Sequence, residues 1–121
     1  MPVFRTSHGD INVSNWGYQL QGLSGAPLNP SALAALDFDL IVTDFSRDGS
    51  EAAKFTTAEV TAIKADAVAV SYISIGEASE FRSFWNAAWT TNGDASGDKT
   101  VLAPDWLGPT NPDWPDRKSV V

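Results

Sequence analysis

The chain has no cysteine, so no disulfide framework can form and the redox compartment is left undecided. It has one histidine, His8, which leaves little support for a Ser-His-Asp triad or a histidine zinc site. Basic residues are few, 8 against 15 acidic ones, for a net charge of −7. Nucleic acid and anionic membrane surfaces both need a basic footprint, so neither is expected as a partner. No run reaches the ~18 apolar residues of a membrane span, and residues 1–10 lack the apolar core of an export signal. Neither Gly-x-Gly-x-x-Gly nor Gly-x4-Gly-Lys-Ser/Thr occurs, so dinucleotide and P-loop chemistry lack their anchor and no cofactor is expected. A phosphoacceptor receiver fold would suit the length. It needs an acidic pair after the first strand and a lysine after the last, and neither is found. The 121 residues suffice for one domain with a modest core.

What is present is organised around Ala69-Val70-Ser71-Tyr72-Ile73-Ser74-Ile75-Gly76-Glu77-Ala78. The β-branched and aromatic residues read as a strand that stops at a glycine and presents Glu77. A second stretch, Asp39-Leu40-Ile41-Val42-Thr43-Asp44, has the same form and ends in Asp44. In α/β folds and barrels, groups just past the carboxyl ends of strands meet the ligand. If the two strands are neighbours, ~4.8 Å apart, two inward-leaning carboxyls can stand ~5 to 9 Å apart, a range that spans retaining and inverting glycosidases. Each acid has a second reading, as a cap for the following turn or a partner for Arg47 or Arg82. Asp48, followed by Gly49, fits a turn as well as a site.

Taken in order, residues 1–13 show no period and read as a flexible N-terminal arm, with residues 14–121 as the domain. Residues 14–21 alternate as a first strand. Asn29 and Pro30 open a short helix, and Thr56 with Glu59 forms a capping box for a second helix through Val60, Ile63 and Lys64. The third strand is read over residues 67–75. Phe81, Phe84, Trp85, Ala88 and Trp89 follow helical spacing and predict a helix over 79–89. Residues 100–103 suit a short strand, and the proline-rich tail, 104–115, reads as loop. The β-α-β-α-β-α order predicts parallel β/α units. Five tryptophans invite the ordinary explanation of buried indoles, but Trp106 and Trp114 lie in the tail, where aromatic faces suit sugar rings.

Four segments together resemble glycoside hydrolases of the family-114 type, the endo-α-1,4-polygalactosaminidases. They are Trp16-Gly17-Tyr18-Gln19-Leu20-Gln21, Asp39 to Gly49, Ser71-Tyr72-Ile73-Ser74-Ile75-Gly76-Glu77-Ala78, and the paired tail words Pro104-Asp105-Trp106-Leu107-Gly108-Pro109 and Asn111-Pro112-Asp113-Trp114-Pro115. The resemblance implies a (β/α)8 barrel, secretion, and cleavage of α-1,4-linked galactosamine polymers. It implies Tyr18 and Gln19 on the pocket floor, Asp44 and Glu77 in the cleft, and Trp106 and Trp114 on a long loop. A barrel of this kind takes ~250 residues, so the expectation is half of a TIM barrel, with at least one principal catalytic carboxylate in the other half. An open half-barrel exposes two strand edges and an apolar inner face. It is therefore expected to form a homodimer or to rearrange into a small doubly wound sheet. Two functions follow: a glycosidase-type domain using Glu77 as acid or amine contact and Asp44 as charge partner, or a non-catalytic carbohydrate-binding or self-assembling half-barrel module. An acidic cleft suits a cationic polysaccharide.

Overall fold

The three strands expected over residues 14–21, 39–44 and 67–75 do pair in parallel. The computed structural model describes residues 3–6 and 9–121; His8 lies outside them. The chain divides into two compact units, the first ending at Tyr72 and the second beginning at Ile73. In the first, β1 (Val3–Thr6) and β2 (Gly9–Asn12) form an antiparallel hairpin. Then come β3 (Trp16–Gln19), α1 (Pro30–Ala34), β4 (Leu40–Thr43), α2 (Thr57–Ile63) and β5 (Val68–Ser71). The parallel sheet runs β3-β4-β5, in chain order and without reversal.

The register sorts its two faces. Gly17, Ile41 and Ala69 form one row. Ile41 packs with Leu28, Leu33 of α1, Phe55 and Ile63 of α2, so both helices cover this face. Burying each such side chain contributes about 1.5–3 kcal/mol. Gly17 is glycine because the Phe38 ring fills the space a Cβ would need, 2.8 Å away. The opposite rows are Trp16-Leu40-Val68 and Tyr18-Val42-Val70. This face is open: Trp16 is 63%, Tyr18 57% and Val70 41% exposed.

Both caps form as their sequences require. Asn29 Oδ1 accepts from Ser31 and Ala32 N–H at 3.0 and 3.3 Å. Thr56 and Glu59 exchange both capping-box hydrogen bonds, and Arg47 pairs with Glu59. At the other end of the sheet Asp39 accepts from Ser14 N–H and Oγ and from Asn15 N–H, tying β3 to β4. These bonds, the Ser14 hydroxyl's above all, hold its carboxyl below the usual carboxylate range.

Beyond Ser71 the expectations change. The third strand ends there, not at residue 75, because its neighbour β4 ends at the paired Thr43. Tyr72 N–H still reaches Thr43 O at 2.8 Å, while Ile73 and Ile75 are exposed. β propensity without a partner strand makes no strand. The expected helix over 79–89 does not form. Ser79, its expected cap, is paired in a strand, and Asn86 caps only a 3-10 turn at Ala87–Trp89. Its aromatic spacing serves a ring cluster instead: Trp85, Trp89 and Trp106 stack edge to face at 5.6 and 5.5 Å. Residues 100–103 are turns, not a strand, with Val101 and Leu102 exposed.

The tail is not all loop. In the second unit β6 (Glu77–Ser79), β7 (Leu107–Thr110) and β8 (Arg117–Val120) form an antiparallel sheet, β6-β8-β7. Pro109 is tolerated because β7 is an edge strand with a bulge between Leu107 and Thr110. The coarse α/β expectation with a parallel sheet therefore holds. Half of a (β/α)8 barrel is not seen, because an antiparallel unit stands where a further β/α unit was expected.

Candidate functional site

The parallel strands end together at Gln19, Thr43 and Ser71, one row of the register. Asp44 follows β4 directly and is 6% exposed. A cavity of about 360 Å³ opens here, lined by Thr43, Asp44, Phe55, Lys54, Lys64 and Ser71 among others. Thr43 Oγ1 is buried and has no hydrogen-bond partner. An orphan hydroxyl of this kind costs about 1–3 kcal/mol unless a ligand or water satisfies it. Lys54 is paired with Glu51, and Lys64 is exposed at the end of α2.

The other expected site residues of this unit have visible work. Gln19 Nε2 donates to Gln21 O at 3.0 Å. Tyr18 lies on the open face, edge-on to Tyr72 at 6.5 Å. Asp48 closes a turn by accepting from Ser50 Oγ and N–H at 2.7 and 2.9 Å, with Gly49 at φ 89°. The Ser50 hydroxyl, then its N–H, hold the Asp48 carboxyl below the usual range.

Glu77 belongs to the second unit, so the two acids singled out from the sequence do not share one. It opens the antiparallel strand β6 rather than following a parallel one. Its Oε1 accepts from Asn111 Nδ2, and its Oε2 faces Arg117 at 3.3 Å. Arg117 is also forked on Asp116 at 3.0 and 3.3 Å and lies over the Trp114 ring at 5.4 Å. Hydrogen bonds donated to Asp116, then to Glu77, raise its already high pKa. Glu77, Arg117 and Trp114 are thus brought together, with Trp114 half-exposed and Trp106 held in the ring cluster.

Reasoning from sequence weighed Arg47 and Arg82 as partners for these acids. Arg47 pairs with Glu59, and Glu77 is held by Arg117. Thr43 and Ser71 went unnoticed as site residues; they end β4 and β5 in one row of the register. Among the described residues no cluster of three or more His, Asp or Glu side chains suits a metal ion. No helix among them is long and apolar enough to cross a membrane.

No protein-family model matches the chain. It is 34% identical over 114 residues to an uncharacterized protein of Thermotoga maritima, covering 93% of this chain and 31% of that protein. An uncharacterized protein of Methanocaldococcus jannaschii is 37% identical over 100 residues, covering 82% of this chain and 25% of its own length. One from Deinococcus radiodurans is 35% identical over 110 residues, 90% of this chain and 31% of that protein. The chain spans a third or less of the length of these relatives.

Proposed function

We propose that the chain is a polysaccharide-binding part of a family-114-type glycoside hydrolase barrel, gripping an α-1,4-linked galactosamine polymer at the carboxyl ends of β3, β4 and β5. The observation that carries this is the buried Asp44 carboxylate beside a cavity that also holds the orphaned Thr43 hydroxyl and Ser71. A sugar amine pairs with Asp44, while ring hydroxyls meet Thr43, Ser71 and the exposed Lys64. The sequential strand order, with helices on one face only, suits a singly wound barrel better than a doubly wound sheet. Relatives of which the chain covers 25 to 31% leave room for a whole barrel of ~250 residues. In this chain Glu77 is occupied by Asn111 and Arg117, so binding without cleavage is the activity assigned to it alone. Hydrolysis needs a second carboxylate beside Asp44.

Calorimetric titration with an α-1,4-galactosamine oligomer, against its N-acetylated form, tests this. The free-amine oligomer binds more tightly, Asp44→Asn weakens it at least ~10-fold, equal to about 1.4 kcal/mol, and no new reducing ends appear. Equal binding of both oligomers, or unchanged binding by a folded Asp44→Asn variant, would sink the assignment. Should Asp44→Asn unfold, Ser71→Ala serves in its place. The open face of Trp16, Tyr18 and Val70 suits a second copy of the chain as its cover. Light scattering at several concentrations reads that directly, and a monomer throughout removes it.

A further inference from the structure

The second unit buries a lysine that nothing above employs. Lys118, in the central strand β8, is 3% exposed. Its Nζ donates to Thr110 Oγ1 at 3.0 Å, and that hydroxyl in turn donates to Ala95 O at 2.6 Å. An ammonium has three protons to place, and this relay takes one. A buried charge with unused donors is costly and calls for an acceptor. Lys118 lines a cavity of about 540 Å³ together with Lys99, Asp98, Asp105, Thr110 and Leu107. Lys99 Nζ is spent on the carbonyls of Pro104 and Leu107, which also fixes it at this wall.

The charges around the cavity decide what fits. Two ammonium groups and two exposed carboxylates share the lining. A simple anion gains from the lysines and is repelled by Asp98 and Asp105; a simple cation meets the reverse. A molecule carrying both charges satisfies both pairs. We propose that this cavity binds a small amino acid-type zwitterion, its carboxylate on Lys118 and its amine toward Asp98 and Asp105. Burial, partly countered by Asp98 and reinforced by Lys99, lowers the pKa of Lys118, as expected where an anionic partner has yet to arrive. The site lies wholly within the second unit.

The probe is a ruler of ω-amino acids: glycine, 4-aminobutyrate and 6-aminohexanoate, with acetate and propylamine as single-charge controls. Calorimetry on the full chain should show one length binding at least ~10-fold tighter than either control. Lys118→Met, which keeps the aliphatic stem, should abolish this while the circular dichroism stays unchanged. If Lys118→Met fails to fold, the exposed Asp105→Asn decides: it should weaken the zwitterion several-fold while acetate, relieved of a like charge, binds no more weakly. Acetate binding as well as the best zwitterion, no binding by any length, or full binding by folded Lys118→Met would each overturn the proposal.

Discussion

The two units bury different things. The first buries Leu28, Leu33, Ile41, Phe55 and Ile63 as one cluster between helices and sheet. The second buries only Ala78, Ala95 and Leu107 as apolar side chains, alongside Ser79, Thr90 and Lys118. One is held by packing; the other leans on polar relays such as Lys118-Thr110-Ala95 and the Glu77-Arg117-Asp116 group. Packing energy is non-directional and large, whereas a hydrogen bond adds a net ~0.5–1.5 kcal/mol and only when its geometry is met. The first unit should therefore be the more stable and the second the more sensitive to what fills its cavity.

Truncating the packed core is the largest expected effect. Ile41→Ala or Leu33→Ala should cost about 2–5 kcal/mol by denaturant unfolding. Leu107→Ala should cost less, because the second unit buries only small apolar side chains, Ala78 and Ala95, beside it. Equal losses would erase the contrast. Next comes Thr56→Ala, which breaks the capping box and should cost about 0.5–2 kcal/mol. Hydrogen exchange should show that loss in residues 57–63 first.

Lys118→Met should leave the melting temperature unchanged or raise it, since it removes a buried charge whose hydrogen-bond partner is a single hydroxyl and whose burial outweighs the pull of Asp98. A marked fall would mean the Thr110 relay holds the sheet together. The smallest effects are those of pH, and they separate the units by range. Asp39, Asp48 and Glu59 all have depressed pKa values in the folded state. Their contribution to the first unit is present above the ordinary carboxylate pKa and fades as pH falls through the folded values. Lys118 acts at the other end. With its folded pKa lowered, the unfolded state binds the extra proton, so its penalty on the second unit lessens as pH rises toward the ordinary lysine value. Stability curves of wild type and Lys118→Met should thus converge on the alkaline side.

The first unit was largely legible in the sequence because its signals are local. Asn29-Pro30 and Thr56-x-x-Glu59 each specify a cap within four residues, and residues 39–44 are apolar enough to name a covered strand. The second unit was misread wherever pairing with distant residues overrode local preference. Ser79 looks like a helix cap until Arg117 pairs with it, and Pro109 looks like a strand breaker until it falls on a bulged edge. Glu77 was found as a prominent acid, but its Asn111 and Arg117 partners lie 34 and 40 residues away and leave no local mark. Asp44 and the strand-end position were legible. The orphaned Thr43 hydroxyl was not, because an unmet hydrogen bond is visible only once its neighbours are in place.

The most direct test is to map galactosamine-oligomer binding by amide NMR on the labelled chain. Binding at the strand ends predicts shifts concentrated at Gln19, Thr43, Asp44, Ser71 and Tyr72, and their loss in Asp44→Asn. Shifts confined to Trp106, Trp114 and their neighbours in the second unit, or none at saturating oligomer, would contradict it.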